Sequence, residues 1–372
     1  MRVLLISHSA ALYGAQRSLL DLAIGLKGED VDAVATVPED GPLYAALSAS
    51  GIPVRRLPCR NWVFSRGRYQ WYRKLLMNMW QARQAAVWAR EEGFDLIHTN
   101  SSVIPIGAMI AKKVGLPHVW HVREGMPPKT DFFYWPFERV RQFVKKSTRY
   151  MVGISDHTCE GMRAFCPEGT IRRIYNGPIS MSEKSKPLAS RPPIDGRGLR
   201  MLCVGRSGPA KGHDVAAQAF ALLRGAQYED TLTIAGEVPD SFRLELQRIA
   251  PIGLQFAGYV ADTCTLYDTH DVLLMTSQKE AFGRVTLEAM SRGCVVVGTK
   301  SGGTPEIIQH EETGMLVEPG NAVQVADAVN RIRADADLTE SIRIAARESA
   351  FARFTRERYA HDVATLYREA LQ

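Results

Sequence analysis

Short apolar runs rich in β-branched residues alternate with helical patterns along this chain, and the alternation begins again after a polar stretch near its middle. Runs that are apolar on both faces and separated by helices are typical of parallel sheets with right-handed crossovers. The pattern therefore predicts an α/β protein with two doubly wound sheets. The predicted strands are 3–6, 31–37, 95–98, 119–121 and 150–154 in the first half, and 201–204, 231–235, 254–256, 272–276 and 294–298 in the second.

A stretch rich in proline and glycine, 180–198, separates the two halves and contains little that could form a core. The length of 372 residues is also typical of two domains. We therefore predict Rossmann-like domains at 1–180 and 199–352, a linker at 181–198 and a terminal helix at 353–372. Two such domains facing one another would leave an interdomain cleft at the carboxyl ends of their strands, which is the usual ligand site of this architecture.

Several classes of protein are disfavoured by the sequence. No apolar run reaches the roughly 18–20 residues that span a bilayer. The six cysteines form no C-x-x-C pair, so they are interpreted as small core residues and not as a disulfide framework or a zinc site. Neither a P-loop nor a G-x-G-x-x-G sequence after a strand is present. These observations favour a cytoplasmic protein.

Positive charge is concentrated in one part of the first half, where residues 51–150 carry 18 Lys or Arg and 6 Asp or Glu. Such a surplus attracts phosphate groups. In its densest part, aromatic side chains lie between the cations, which suits the headgroup region of an anionic membrane. A solvated helix face or a single-stranded nucleic acid site are the alternatives. The predicted membrane or acceptor surface comprises Arg55, Arg56, Arg60, Trp62, Arg66, Arg68, Trp71, Arg73 and Lys74.

The most specific motif is an E-x7-E element that runs from Glu280 to Glu288. It follows a predicted strand and begins a helix, so Glu280 is expected in the loop at the carboxyl end of that strand. Gly283 would let backbone N–H groups approach a ligand, and the helix N-terminus favours a phosphate. A Gly302-Gly303-Thr304-Pro305-Glu306 turn follows the next predicted strand.

Together with the segment 314–320 (Gly-Met-Leu-Val-Glu-Pro-Gly), these motifs resemble the retaining glycosyltransferases of family 4. The resemblance implies the GT-B fold, with a terminal helix that crosses back to the N-terminal domain. It also implies transfer of a sugar from a nucleotide-sugar donor, held mainly by the C-terminal domain, with no metal or other cofactor. Retention of configuration is implied by the family alone.

The resemblance also assigns roles to individual residues. Glu280 would face the donor sugar, Glu288 would accept hydrogen bonds from the ribose, and Arg206 and Lys211 would grip the diphosphate. His121 corresponds to the family's active-site histidine, although the aspartate that usually follows it is absent. Catalytic roles are thus predicted for Glu280 and His121, and donor binding for Gly14, Arg206, Lys211, Phe282, Gly283, Arg284, Val285 and Glu288.

The acceptor is expected to be lipid-linked or a polysaccharide, in bacterial envelope polysaccharide or glycolipid synthesis. The basic, aromatic surface then suggests a peripheral position on the inner face of the plasma membrane, and no nucleic-acid partner is expected. Two alternatives remain: a sugar-nucleotide epimerase of the same fold, which would use no acceptor, and a non-catalytic protein that binds membrane or nucleic acid.

Overall fold

The computed structural model describes residues 1–63, 71–125, 136–188, 198–206, 208–223 and 229–372. These residues form two compact units. Unit 1 consists of Met1–Pro178 and Thr355–Gln372, and unit 2 consists of Ile179–Phe354. The C-terminal residues therefore belong to the same unit as the N-terminal ones. Part of the predicted linker, 189–197, lies outside the described residues.

Unit 1 is built on a seven-stranded parallel sheet with the order β3-β2-β1-β4-β5-β6-β7. The central strand β1 pairs with β2 on one side and with β4 on the other. The order reverses direction between β1 and β4, so the loops that follow these two strands diverge at the carboxyl edge and leave room for a ligand. The strands are β1 (Arg2–Ser7), β2 (Asp32–Val37), β3 (Val54–Arg56), β4 (Leu96–Asn100), β5 (His118–Val122), β6 (Tyr150–Gly153) and β7 (Ile171–Arg173).

Helices cover both faces of this sheet because alternate residues of each strand point to opposite sides. Val3 and Leu5 pack with α1, α2 and α14, whereas Leu4 and Ile6 pack with α3 and α4. Helix α5 lies beside α4 on this second face. The helices are α1 (Gly14–Leu26), α2 (Pro42–Ala49), α3 (Trp71–Glu91), α4 (Ile106–Val114), α5 (Phe137–Ser147), α6 (Asp156–Met162) and the terminal α14 (Arg356–Ala370).

Unit 2 repeats the plan with a six-stranded parallel sheet in the order β10-β9-β8-β11-β12-β13. Its strands are β8 (Arg200–Val204), β9 (Thr231–Ala235), β10 (Leu254–Gly258), β11 (Val272–Met275), β12 (Val295–Thr299) and β13 (Met315–Val317). Its helices are α7 (His213–Leu223), α8 (Asp240–Ile249), α9 (Cys264–Thr269), α10 (Arg284–Ser291), α11 (Thr304–Ile307), α12 (Ala322–Ala334) and α13 (Ala336–Arg353).

The prediction of two doubly wound parallel sheets is confirmed, and both sheets have the strand order of a Rossmann fold. Each predicted strand is present within one or two residues of its expected bounds. Three strands were not predicted: β3, β7 and β13, each of which has only three residues. Among the described residues, no helix is long and apolar enough to cross a membrane.

Candidate active site

In unit 2, the loops that follow β8 and β11 are joined at the carboxyl edge of the sheet. Lys211 ends a 3-10 turn after β8, and its Nζ donates a hydrogen bond to Glu280 Oε2 over 2.7 Å. The Oγ1 of Thr276, just beyond β11, donates to the carbonyl oxygen of Gly212 over 2.7 Å. A Cβ added to Gly212 would lie 2.1 Å from the carbonyl oxygen of Thr276, so this close approach requires glycine. The structure thus brings together the predicted phosphate-binding lysine and the predicted catalytic glutamate.

The turn after β12 fixes the backbone of Glu280. Gly303 N donates to the carbonyl oxygen of Glu280 over 2.9 Å. Gly302 has φ +58°, and a Cβ there would lie 1.8 Å from the same oxygen. The Glu280 side chain is only 15% exposed, whereas that of Lys211 is 43% exposed. The two-glycine turn therefore holds a carboxylate at the sheet edge with a more exposed cation beside it.

The other predicted cation of this loop is Arg206, whose side chain is exposed. It follows Gly205, which has φ +142° and whose N–H donates to the carbonyl oxygen of Ala235 at the end of β9. Arg206 is therefore carried by the first turn after β8, and Lys211 by the last. One loop presents two cations at the carboxyl edge of the sheet.

The second glutamate of the motif, Glu288, lies on α10 and is held by two neighbours. The hydroxyl of Tyr267 donates to Glu288 Oε2 over 3.1 Å, and Arg284 forms an ion pair with Oε1 over 3.4 Å. Burial raises the pKa of Tyr267 well above its usual range, so this tyrosine stays a hydrogen-bond donor. Arg284, predicted to bind the donor, is thus positioned beside the carboxylate predicted to meet the ribose.

Helix α10 begins at Gly283, whose φ of +111° lies in the left-handed region that favours glycine. Val285 lies in the first turn and is half-buried. Phe282 is only 2% exposed, and its ring packs edge-on against Phe354 with centroids 5.9 Å apart. The Phe282 ring thus belongs to the core, and its predicted part in donor binding, which stays a prediction, would fall to its backbone.

In unit 1, the loop that follows β1 ends at Gly14, the first residue of α1. Gly14 is exposed, as is the preceding Tyr13. The backbone of Tyr13 is extended, with φ −88°, and its carbonyl oxygen accepts a hydrogen bond from Arg17 N over 2.8 Å. The predicted contact residue Gly14 is therefore at a helix N-terminus on the carboxyl edge of the sheet, where the helix dipole favours an anion.

His121 is buried in unit 1. It lies within β5 with 0% of its surface exposed, and its ring lies 5.2 Å from His98 and 5.9 Å from Tyr359 on α14. Neither ring nitrogen has a hydrogen-bond partner among the described residues. Burial, followed by the charge of Arg123, lowers the pKa of His121 well below its usual range. Its position in the strand directs the ring into the core of unit 1, and the catalytic role of His121 stays a prediction.

The residues just beyond β4 and β5 form a polar cluster, of which sequence reasoning missed Ser101 and Ser102. The carboxylate of Glu124 accepts hydrogen bonds from Ser102 N over 2.7 Å, from Ser101 Oγ over 3.0 Å and from Arg123 N over 3.1 Å. Ser101 has φ +91°, which is rare for a residue other than glycine and is common at functional sites. The signal was present in the sequence: polar residues directly follow β4, which lies at the switch in strand order, and β5 beside it.

A histidine from the loop after β1 lies beside this cluster. His8 Nδ1 lies 3.3 Å from the carbonyl oxygen of Asn100, which can only accept, so Nδ1 carries the proton. His8 Nε2 is then an acceptor, and it lies 3.0 Å from the Gln16 amide nitrogen. Burial lowers the pKa of His8, against the opposing effect of Glu124. A neutral imidazole and a fixed carboxylate therefore meet at the point where β1 and β4 diverge.

Arg123 anchors this edge of unit 1. The residue is 6% exposed, and its guanidinium donates to Asn100 Oδ1 over 2.8 Å, to the Tyr359 hydroxyl over 2.6 Å and to Asn176 Oδ1. All three acceptors are neutral. The arginine thus connects the ends of β4 and β5 to α14, which is a structural role.

The predicted basic, aromatic surface is only partly a surface. Trp62 is wrongly included: it is 5% exposed, stacks on Trp120 at 5.5 Å and donates its Nε1 hydrogen to the carbonyl oxygen of Ser102. Arg66 and Arg68 lie outside the described residues. Arg55 and Arg56 are exposed but pair with Glu92 and Asp40. The exposed remainder consists of Arg60, Trp71 and Arg73, with Lys74 half-buried.

Two family models match the chain. "Glycosyl transferase 4-like domain" matches residues 13–177, and "Glycosyl transferases group 1" matches residues 187–349. Each match falls on one of the two parallel sheets. The two sheets and their glycine-rich loops are those of a two-domain enzyme with the GT-B fold. The chain belongs to the family 4 glycosyltransferases.

Curated relatives agree with this assignment, and a solved structure has the same fold. N-acetyl-alpha-D-glucosaminyl L-malate synthase of Bacillus anthracis is 34% identical over 159 residues, which are 42% of this chain and 41% of that protein. D-inositol 3-phosphate glycosyltransferase of Pseudarthrobacter chlorophenolicus is 31% identical over 173 residues, which are 43% of this chain and 41% of that protein. The chain thus spans less than half the length of these relatives. Anabaena HepE, solved in complex with UDP, has a TM-score of 0.81 at 21% identity, with 99% of this chain and 100% of that chain covered.

Proposed function

We propose that this protein transfers a sugar from a nucleotide-diphosphate-sugar donor to an acceptor hydroxyl without a metal ion. The observation that carries the proposal is the ion pair of Lys211 with Glu280, held at the carboxyl edge of the unit 2 sheet by two glycine-containing loops. A carboxylate suited to sugar hydroxyls and a cation suited to a phosphate are thus adjacent at the usual ligand position of a doubly wound sheet.

The chemistry needs cations because the leaving diphosphate gains negative charge as the glycosidic bond breaks. Lys211 would turn from Glu280 to the diphosphate, and Arg206 would bind it from the other end of the same loop. The backbone N–H groups at the start of α10 add a positive dipole end. Charges fixed in advance at the place where charge develops stabilise the transition state more than the ground state.

The sugar would pass through a transition state with oxocarbenium character. Glu280 would accept hydrogen bonds from the sugar hydroxyls, and Glu288 from the ribose hydroxyls. Retention of configuration, with attack on the face that the diphosphate leaves, rests on the family resemblance. The binding of UDP by Anabaena HepE supports a nucleotide-sugar donor here.

On the acceptor side, we propose a lipid-linked or polysaccharide acceptor in bacterial envelope synthesis. His8 and Glu124, both half-buried beyond the ends of β1 and β5, would form hydrogen bonds with a sugar hydroxyl on unit 1, and Ser101 would hold the carboxylate in place. The positive charge of unit 1 supports a peripheral position on an anionic membrane.

The test is binding and turnover with a panel of UDP-, GDP-, ADP- and TDP-sugars. Thermal stabilisation by one donor, with slow release of the nucleoside diphosphate that persists in EDTA, is the expected result. Isomerisation of the sugar would instead indicate an epimerase. Absence of binding by every donor, or activity lost in EDTA and restored by Mn²⁺, would contradict the proposal.

A further inference from the structure

Helix α3 exposes an apolar stripe along one side. Its buried face consists of small residues, mainly alanines, that pack closely on α4. On the opposite side Leu76 is 60% exposed and Trp80 is 56% exposed. Tyr72 and Val87 lie on the same side and are also exposed, at a spacing of four to seven residues that keeps them in line. Contiguous exposed apolar side chains on one helix face mark an interaction surface.

The helices that form this layer are strongly basic. Helices α3, α4 and α5 together carry ten Lys or Arg residues and two acidic residues, Glu91 and Glu138. Glu138 is already paired with Arg141. The layer therefore has a large unbalanced positive charge beside the apolar stripe, which is complementary to an anionic partner.

The charge converges on a defined pocket. A cavity of about 200 Å³ between α4 and α5 is lined by Lys112, Arg139, Gln142, Phe143, Lys146 and Ser147. The four α5 positions from Arg139 to Lys146 have the spacing of one helix face. None of the three cations forms an ion pair with a residue in the described part of the chain. Like charges around one cavity repel one another, and an anion bound there would relieve that repulsion.

We infer that the outer face of the α3–α4–α5 layer docks on an anionic bilayer. The Lys112–Arg139–Lys146 pocket would take a lipid phosphate headgroup, and the stripe from Tyr72 to Val87 would enter the interface between headgroups and acyl chains. An apolar stripe flanked by cations is the pattern of interfacial helices. A soluble phosphate would explain the pocket alone. A nucleic acid would explain the pocket and stack on Trp80, but it gives no role to the exposed Leu76 and Val87. The inference rests on the proposed function in one respect: a lipid-linked acceptor would be held at a membrane.

The experiment uses the full chain and two kinds of vesicle: phosphatidylcholine alone, and phosphatidylcholine with 30% phosphatidylglycerol. Co-sedimentation at 50 mM salt is expected only with the anionic vesicles, with a blue shift of tryptophan fluorescence. The K112Q/R139Q/K146Q variant should lower vesicle affinity on the order of 100-fold, from the usual contribution of three near-surface cations. The L76S/W80S variant should lose the blue shift and most of the binding.

Matched controls lie on unit 2. The K300Q/R248Q/R331Q variant removes the same charge, and L222S/L244S removes exposed leucines of similar accessibility. Both controls should bind vesicles like the wild type, and donor hydrolysis should be unchanged in all four variants. Donor hydrolysis tests the proposed sugar transfer, and vesicle binding tests the membrane inference. Either one can therefore fail while the other holds.

Three results would overturn the inference. The first is that the wild type does not sediment with anionic vesicles. The second is that the pocket variant and the control charge variant weaken vesicle binding equally. The third is that 10 mM inorganic phosphate or a single-stranded RNA occupies the pocket while L76S/W80S binds vesicles as the wild type does.

Discussion

Replacement of Lys211 by alanine should abolish most of the turnover and little of the stability. The Nζ lies 2.7 Å from Glu280 Oε2, but the lysine side chain is 43% exposed, and ion pairs of this kind contribute less than about 1 kcal/mol to stability. Loss of one preorganised donor to a developing anion costs about 2.7–4 kcal/mol of activation free energy. The transition-state effect is thus roughly three times the folding effect or more. We expect kcat to fall about 100-fold or further and Tm to change by only a few degrees.

The assay is release of nucleoside diphosphate at saturating donor, with Tm measured on the same samples. Lys300→Ala is the matched control, because Lys300 is 48% exposed and pairs with Glu318 over 3.2 Å on the same unit. Arg206→Ala should lower kcat by a similar factor to Lys211→Ala. If Lys211→Ala and Lys300→Ala both keep kcat within about threefold of wild type, the role of Lys211 at the diphosphate is refuted.

Three further predictions concern stability. Gly302→Ala should lower the free energy of unfolding of unit 2 by about 2 kcal/mol or more, because the new Cβ would lie 1.8 Å from the Glu280 carbonyl oxygen. Calorimetry measures this loss. Gly208→Ala is the control and should leave the stability unchanged, since open space surrounds Gly208. Trp62→Ala should destabilise unit 1 by about 3–5 kcal/mol in urea titrations, whereas Trp71→Ala should stay within about 0.5 kcal/mol. His118 has a pKa lowered by burial to about 3, so the unfolded chain alone takes up its proton as pH falls below 6.5. Stability should therefore drop between pH 6.5 and 5, by up to about 1.4 kcal/mol per pH unit for this histidine; a flat profile would contradict this.

The architecture could be predicted from the sequence because it depends on a pattern repeated many times. Ten predicted strands repeat the alternation with helices, and six of them carry an apolar run of three residues or more, so an error at one strand leaves the alternation intact. The strands β3, β7 and β13 have three residues each, and β3 contains two arginines. Such strands form because a neighbour offers free backbone groups at the end of a sheet, which is a tertiary effect and leaves no local periodicity.

Site residues depend on single positions, and the burial of one side chain is hard to predict from the sequence. Strand side chains alternate between faces, so the exact register decides whether His121 points into the core or towards the edge. The resemblance pointed to His121, whereas the structure places Glu124, three residues later, at the edge. Similarly, Trp62 was counted with its exposed basic neighbours although its ring stacks on Trp120. In both cases burial by a distant part of the chain decided the outcome.

The return of α14 to unit 1 has a consequence for synthesis on the ribosome. Helix α14 covers α1 with Tyr359, Val363 and Tyr367, and Gly25 fits so closely that a Cβ there would lie 2.6 Å from the Ala360 methyl. During translation, residues 1–178 emerge long before this cover, and at 5–20 residues per second the whole of unit 2 takes roughly 10–40 s to follow. Throughout that interval the nascent first unit presents a bare hydrophobic groove along α1, a natural binding site for a chaperone. The second unit, contiguous in sequence, completes its fold first.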